Sequence, residues 1–494
     1  MASGYRSFLK STTIYSFLAF LPLASRFVLL PIFLLYLAPR EFGIIGLSTA
    51  ISSALPIFFT LGFDHAFSLY FFHYNKNKTL LHTYISTVFL TVLLISTILF
   101  LLILPWGPEI YKLAFKDPTF TFYPYGLIST VVAIFTSINS IIVIYLRNSQ
   151  KPMLFLLFSG GSFFLSIITE TIAVIFFKAK AADILTIRMS VMALVSIVTW
   201  TIILKKYGLR FEKRFLKSSL SYSLPIIPYV FFAFIYMNYD RIMIENYLNL
   251  ESVAVYNLAA SVAIIVDTVL NSLQNTTTPL VYEKLKQNYK TNEPYVSRIY
   301  RGMGLTVFVA IGAICLAAPF LILNLLKPIY ASALTILPIL LIGYIFRYLY
   351  TAYVDPLFFF KKTKQLPWLN VLAGSLTILL NIWLLPRLGL WGAAISMLVS
   401  RMAQLMLTYY WYTKASDFRY KLRYIHQLTI VISVLLLAIA IIYALFPEQK
   451  LLLYISYAAP IVYLIVFMVG ILKQKTTFKF LFSKEGIKQV KDII

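Results

Sequence analysis

Residues 15–38 read YSFLAFLPLASRFVLLPIFLLYLA, with a single charge at Arg26. A bilayer-spanning helix needs roughly 20 mainly apolar residues, so this stretch is long enough to cross a membrane. It is too long for the apolar core of a cleaved signal peptide, and no small-residue cleavage site follows it. It is expected to stay in place as a transmembrane helix. Comparable runs recur down the chain. Fourteen are read: 13–37, 42–62, 82–104, 119–146, 153–177, 181–204, 219–247, 253–279, 302–326, 331–352, 367–386, 390–412, 427–446 and 451–472.

The composition agrees. Of 494 residues, 60% are hydrophobic and 12% charged, whereas a soluble domain is nearer half apolar and a quarter charged. That excludes an ordinary soluble enzyme, and it excludes disorder. The net charge of +25 raises nucleic acid as a partner, but a nucleic-acid binder gathers its basic residues on a water-exposed face. Here they form short islands between apolar runs, where a membrane protein meets the cytoplasm. Nucleic acid is therefore not an expected partner. The single cysteine, Cys315, lies in an apolar run, and His65, His73, His82 and His426 have no metal-ligand spacing. No metal or cofactor is expected. There is no Walker loop, no GxSxG and no HExxH, and no connection is long enough for a soluble catalytic domain. The chain is not expected to be an enzyme.

The basic residues test the span count. Lys and Arg favour short cytoplasmic loops. With the N-terminus inside, 30 of the 43 basic residues fall on the cytoplasmic side and eight opposite, while Arg26, Arg188, Arg241, Arg347 and Arg401 fall inside spans. A miscounted span would invert every later loop. Fourteen helices with both termini cytoplasmic are therefore expected, in the cytoplasmic (inner) membrane of a bacterium or archaeon.

An internal repeat refines the architecture. Leu37-Ala-Pro-Arg-Glu-Phe-Gly-Ile-Ile-Gly-Leu47 after span one aligns with Leu248-Asn-Leu-Glu-Ser-Val-Ala-Val-Tyr-Asn-Leu258 after span seven, at an offset of 211. Arg188-Met189 in span six matches Arg401-Met402 in span twelve. The fold class expected is an all-α polytopic membrane protein: two six-helix lobes of equal orientation, related by a pseudo-two-fold axis, plus two C-terminal helices. Residues 1–204 form the N-lobe, 205–218 a cytoplasmic inter-lobe loop, 219–412 the C-lobe, and 413–494 the two extra helices and a basic tail.

An ionisable side chain at mid-membrane costs several kcal/mol and is a functional candidate by default. Arg26 sits between Pro22 and Pro31, and reads either as an anion site in a water-filled cavity or as a structural ion pair. Asp240 and Arg241 are neighbours about 100° apart on a helix, so one faces a cavity while the other pairs elsewhere. Arg188 and Glu170, on consecutive spans, read as a mutual ion pair. Glu170 and Asp240 are also candidates for ion coupling. Arg401, with Gln404 three residues on, is a candidate anion site in the second lobe, and Arg188 is its counterpart in the first. Arg347 is expected to snorkel from the inner end of span ten. Asp267 either binds a coupling Na+ or H+ or neutralises Arg26 or Arg241. Below it Asn271, Asn275 and Thr276 to Thr278 extend a polar face. Tyr222, Tyr229 and Tyr236 recur every seven residues, a stripe that packing explains and that sugar stacking also fits.

The chain resembles the multidrug/oligosaccharidyl-lipid/polysaccharide (MOP) exporter superfamily, and within it the polysaccharide flippases of the Wzx type. Three segments carry the likeness: Arg26 with Leu37-Ala-Pro-Arg-Glu-Phe-Gly43; Pro225 through Tyr239-Asp240-Arg241-Ile-Met-Ile with Val253-Ala-Val-Tyr256; and Asn370, Asn381, Leu385-Pro386 and Gly389-Leu-Trp-Gly392-Ala-Ala. The similarity spans about residues 5 to 410. It implies a MATE-like, V-shaped pair of six-helix bundles around a cationic cavity. It also implies transfer of undecaprenyl-pyrophosphate-linked oligosaccharide, such as an O-antigen repeat unit, to the outer leaflet by alternating access coupled to an ion gradient. The partners implied are the lipid-linked oligosaccharide, membrane lipid, and a polysaccharide polymerase or other co-assembling glycan machinery. The family's first-helix arginine carries over to Arg26 and its seventh-helix pair to Asp240-Arg241. The alternatives are a cation-coupled multidrug exporter, which would carry a first-helix carboxylate where this chain has Arg26, and a flippase for the peptidoglycan lipid precursor, which would carry more arginines in spans one and two. A membrane-embedded polymerase or ligase would need a large external loop. Arg26→Ala is expected to abolish transport at normal abundance and Arg26→Lys to keep part of it; wild-type transport by Arg26→Ala would remove the anion site.

Overall fold

A computed structural model describes residues 28–473, apart from 75, 150, 289–290, 363–364, 416–418 and 447. Arg26 and most of the first expected span lie outside the described residues. Within them the chain is helical and has no strand. Thirteen helical stretches are long and apolar enough to cross a membrane, and each coincides with one of the spans from the second to the fourteenth.

The helices run α1 (28–36), α2 (Pro39–Thr60), α3 (Phe63–Tyr74), α4 (Lys78–Ala114), α5 (Leu127–Asn148), α6 (Pro152–Phe155), α7 (Gly161–Phe177), α8 (Ala181–Tyr207) and α9 (Lys213–Ser223). They continue with α10 (Ile227–Asn238), α11 (Asp240–Tyr247), α12 (Leu250–Asn288), α13 (Glu293–Leu325), α14 (Ala333–Phe359), α15 (Leu366–Leu388), α16 (Leu390–Ala415), α17 (Arg423–Leu445) and α18 (Lys450–Lys473). The described residues fall into two compact units, divided between Ala254 and Val255.

In unit 1 the ends of helices are set by local chemistry. Asn77 caps α4, its side-chain oxygen accepting from the amides of Thr79 and Leu80 at 3.1 Å each. Leu61 and Gly62 adopt positive φ and stop α2. The turn they make starts α3, a helix the sequence reading passed over. Its Phe63, Phe67 and Phe71 recur every four residues and bury against Tyr84, Val88, Ile138 and Ile142 of α4 and α5. α3 is too short to span and so left no hydropathy signal. A turn of 3-10 helix at Leu224–Ile226, next to Pro225, breaks the seventh span. The expected tyrosine stripe is not uniform: Tyr236 is buried while Tyr222 and Tyr229 are exposed.

The segment 37–43 proves to be a joint. Pro39 opens α2, where a missing amide costs nothing. Arg40 donates to both carboxylate oxygens of Asp117 at 2.7 and 2.6 Å and to Thr119 at 2.8 Å, and lies 3.6 Å from Glu251. Glu41 accepts the amide of Ala181, the first residue of α8, at 2.7 Å. Glu245 of α11 accepts the amides of Lys116 and Asp117 at 3.0 and 2.7 Å. One short segment thereby ties α2 to the α4–α5 connection, α8 and the start of α12. Burial works against charge on Asp117, yet the Thr119 hydroxyl and amide and the Arg40 guanidinium outweigh it and hold the carboxyl below its ordinary pKa. Gly43 lets α2 and the start of α12 touch: a Cβ there would sit 2.0 Å from the carbonyl oxygen of Leu250.

The repeat has a structural counterpart. α2 begins at Pro39 and α12 at Leu250, the same 211-residue offset. In unit 2, α14 packs against α16 and α17, and α13 against α18. Gly392 permits the sharp α15–α16 turn, where a Cβ would lie 2.5 Å from the carbonyl oxygen of Leu384. Gly43→Ala is expected to lower the thermal midpoint in detergent by the equivalent of about 1–3 kcal/mol, the usual cost of overpacking. Gly161→Ala, whose Cβ meets nothing within 4 Å, is the control and should leave the midpoint unchanged.

Candidate functional site

Within unit 1 a cavity of about 350 Å³ opens between α2, α5 and α8. Thr49, Ser52 and Ser53 line it from α2, at helical spacings of three and four that put them on one face. Ser129 and Thr136 of α5 and Arg188 of α8 complete its polar lining. The hydroxyls of Thr49, Ser52 and Ser53 donate to carbonyls four residues back, at 2.7, 2.8 and 2.8 Å. Their hydrogens are thus committed, and their oxygen lone pairs remain able to accept.

Arg188 is held at the cavity wall by Glu170 of α7, which is 1% exposed. The guanidinium donates through Nε to Oε1 at 3.1 Å and through Nη2 to Oε2 at 2.9 Å. Its Nη1 donates to the Thr49 hydroxyl at 3.3 Å. This is the fork geometry in which arginine grips a carboxylate most strongly, and it is the ion pair expected from the sequence. The pair is neutral as a whole. The cavity therefore presents hydroxyl oxygens and one oriented guanidinium edge, a lining suited to hydroxylated ligands.

Within unit 2 a polar seam runs between α12 and α14. Asp267, Asn271 and Gln274 share one face of α12, while Arg347, Thr351 and Asp355 share one of α14. Asp267 lies 3.5 Å from Arg347 Nε, and Asn271 donates to its other oxygen at 3.0 Å. Further along, Gln274 donates to Asp355 at 3.3 Å, and Tyr300 of α13 donates to the second oxygen of Asp355 at 2.6 Å. The pairings advance in the same direction along both helices.

The seam corrects one expectation. Arg347 was expected at the inner end of the tenth span, but that helical stretch runs from Pro328 to Phe359, which puts Arg347 near its middle, where it pairs with Asp267. Among the described residues the ion-pair partner of Asp267 is Arg347, a pairing that the alternatives of ion coupling or of neutralising Arg26 or Arg241 did not include. Asp355, 3% exposed, was missed because the tenth span was expected to end at 352. A lone carboxylate inside TAYVDPLFFF (351–360) is the signal that marks it.

The remaining candidates have other neighbours. Asp240 is 2% exposed in the first turn of α11, and Arg241 donates to the carbonyl of Met237 at 3.2 Å. Arg401 is buried in unit 2 with its guanidinium 4.0 Å from the ring centroid of Tyr344, a close cation–π contact. One turn on, Gln404 donates to Asn370 at 3.1 Å. The matched arginines of spans six and twelve thus meet different neighbours, a carboxylate in one and an aromatic face in the other.

The family model described as "polysaccharide biosynthesis protein" matches residues 36–334. The chain belongs to that family. Among solved structures, the lipid II flippase MurJ in an inward closed conformation superposes with a TM-score of 0.71 at 15% identity, covering 94% of this chain and 99% of MurJ. An inward-facing multidrug resistance MATE family transporter of the MOP superfamily superposes at 0.62 with 16% identity, over 80% of this chain and 94% of that one. The outward-facing conformation of such a transporter gives 0.52 at 14% identity, over 82% and 95%. No curated protein matches in sequence. At these identities the structural likeness is one of fold: the chain has the fold that MurJ and these transporters share.

Arg188→Ala is expected to destabilise the protein by about 3–5 kcal/mol, because it leaves Glu170 buried and unpaired. Adding Glu170→Gln should restore most of the thermal midpoint in detergent. A double variant as unstable as the single one would show that the orphaned carboxylate is not the cause.

Proposed function

We propose that this protein is a flippase that carries a lipid-linked oligosaccharide from the cytoplasmic to the outer leaflet by alternating access. Its cargo is an undecaprenyl-pyrophosphate-linked polysaccharide repeat unit, and an ion gradient, Na+ or H+, drives it. Membership of the polysaccharide biosynthesis protein family supports the glycan. The fold shared with the lipid II flippase over 94% of this chain supports the mode of transport. The observation that carries the reading is the unit 1 cavity, where hydroxyl oxygens of α2 and α5 surround one guanidinium edge. Sugars bring many hydroxyl donors, and such a lining accepts them, whereas a lipophilic cation would find neither an unpaired carboxylate nor an aromatic wall there.

In this reading the Thr49–Arg188 side of the cavity contacts sugar. Arg26, Arg241 and Arg401 are the candidates for pairing with pyrophosphate or acidic sugars, as guanidinium groups do well. Asp267, Asp240 and Glu170 are the candidates for ion coupling, and Asp355 joins them. A polysaccharide polymerase consumes the product.

The test is leaflet-resolved mass spectrometry of lipid-linked glycans in cells lacking the protein. One oligosaccharide-lipid is expected to accumulate in the cytoplasmic leaflet and to clear when the wild-type gene is restored, and Thr49→Val is expected to clear it several-fold more slowly at equal abundance. Unchanged glycan lipids with new sensitivity to cationic drugs would overturn the reading in favour of a multidrug exporter.

A further inference from the structure

A second polar cluster lies in unit 1 where α4 begins and where α5 and α8 end. Tyr145 and Tyr207 hydrogen-bond through their hydroxyls. Lys206 donates to the Tyr145 hydroxyl at 3.4 Å and lies 5.3 Å from the Tyr207 ring centroid. Lys151 stands 5.8 Å from the Tyr145 ring centroid. The His82 ring meets the Tyr207 ring edge-on at 4.8 Å, and Lys206, Arg210 and Lys78 all act on it electrostatically.

The chain between α8 and α9 is fixed so that this arrangement persists. Ser86 of α4 donates to the carbonyl of Gly208 and accepts the amide of Arg210, both at 2.8 Å. Thr87 accepts the amide of Glu212 at 3.1 Å. Ser86 stands one turn after His82, so these bonds pin Arg210 beside it. Among the described residues, no carboxylate lies within ion-pair distance of Lys78, Lys151, Lys206 or Arg210. Lys206 and Lys151 thus stand at the Tyr145–Tyr207 pair, and Lys206, Arg210 and Lys78 around the neighbouring His82, none within ion-pair distance of a carboxylate, at the amino end of a helix that itself favours anions. Apolar side chains flank them along the chain: Leu204 and Leu209 on either side of Lys206, and Met153 and Leu154 after Lys151, are all exposed.

We propose that this cluster is a binding site for the phosphate of a lipid headgroup, gripped by Lys78, Lys151, Lys206 and Arg210 around the Tyr145–Tyr207 pair. Phosphate oxygens take charge-assisted hydrogen bonds from the ammonium and guanidinium groups, the buried Tyr145–Tyr207 pair holds Lys206 through the Tyr145 hydroxyl, and the flanking apolar side chains meet the acyl or prenyl chain. The same chemistry serves an anionic phospholipid of the bilayer and a diphosphate-headed polyprenyl lipid. The site stands on its own geometry and does not require the transport reading.

The test uses the full-length protein in phosphatidylcholine nanodiscs, titrated in one arm with phosphatidylglycerol and in the other with a polyprenyl diphosphate. Bound lipid is counted by native mass spectrometry. Lys151→Gln/Lys206→Gln is expected to weaken binding about thirtyfold in at least one arm, since each basic residue near a charged headgroup contributes comparably. Lys361→Gln/Lys362→Gln in unit 2 removes the same charge elsewhere and should leave that binding unchanged. Tyr145→Phe keeps every charge and should weaken it several-fold, which keeps the test decisive if the double variant folds poorly. Selective loss in the phosphatidylglycerol arm identifies a bilayer lipid, and in the diphosphate arm a polyprenyl lipid. Equal binding by the wild type and the cluster variants in both arms, or equal loss in the unit 2 control, overturns the site whatever the outcome of the transport assay.

Discussion

A charge inside a membrane-spanning helix needs a partner on another helix, because hydrocarbon offers it none. Much of this structure follows from that. Glu170 is nearly inaccessible and is matched by a bidentate guanidinium from α8. Asp267 on α12 faces Arg347 on α14. Each pair binds two helices at one register, since sliding either helix by a turn would bury two isolated charges. The pairs therefore orient the helices as well as neutralise one another. That orientation turns the hydroxyl face of α2 toward Arg188 and brings the Gln274 face of α12 against Asp355.

At the ends of the helices a different economy applies, and backbone amides become the partners. Glu41 and Glu245 both accept from main-chain amides, and Arg40 closes the group through Asp117. The Leu37–Gly43 segment thus acts through geometry. Its carboxylate and guanidinium collect the starts of helices that are remote in the chain, and its glycine lets α2 and α12 meet at backbone distance. The aligned segment 211 residues later opens α12, and its Leu250 and Glu251 are the groups that Gly43 and Arg40 meet.

The spans were legible because the hydrocarbon thickness imposes a length on every crossing, and the alternation of basic loops checked the count. The Arg188–Glu170 pair was legible because consecutive spans pack side by side. Asp267–Arg347 was not, since α12 and α14 are separated by a whole span and nothing in their local sequence names the partner. Asp355 escaped because the tenth span was read as ending at 352, while the helix carries on to Phe359. The short α3 escaped because it never crosses, and only its phenylalanines at four-residue spacing record that it packs.

By itself the sequence determined the class of molecule, the approximate position of each described span, and most of the short list of ionisable groups inside them. These are one-dimensional properties: each depends on the transfer of a residue between water and hydrocarbon, which a residue carries with it. Only the tertiary structure decided which of those groups meet, which hydroxyls share a cavity with Arg188, and which cations gather, beyond ion-pair distance of any described carboxylate, at Tyr145, Tyr207 and His82. Those outcomes depend on helix rotation and register, set by packing between segments far apart in the chain, and no single segment encodes them.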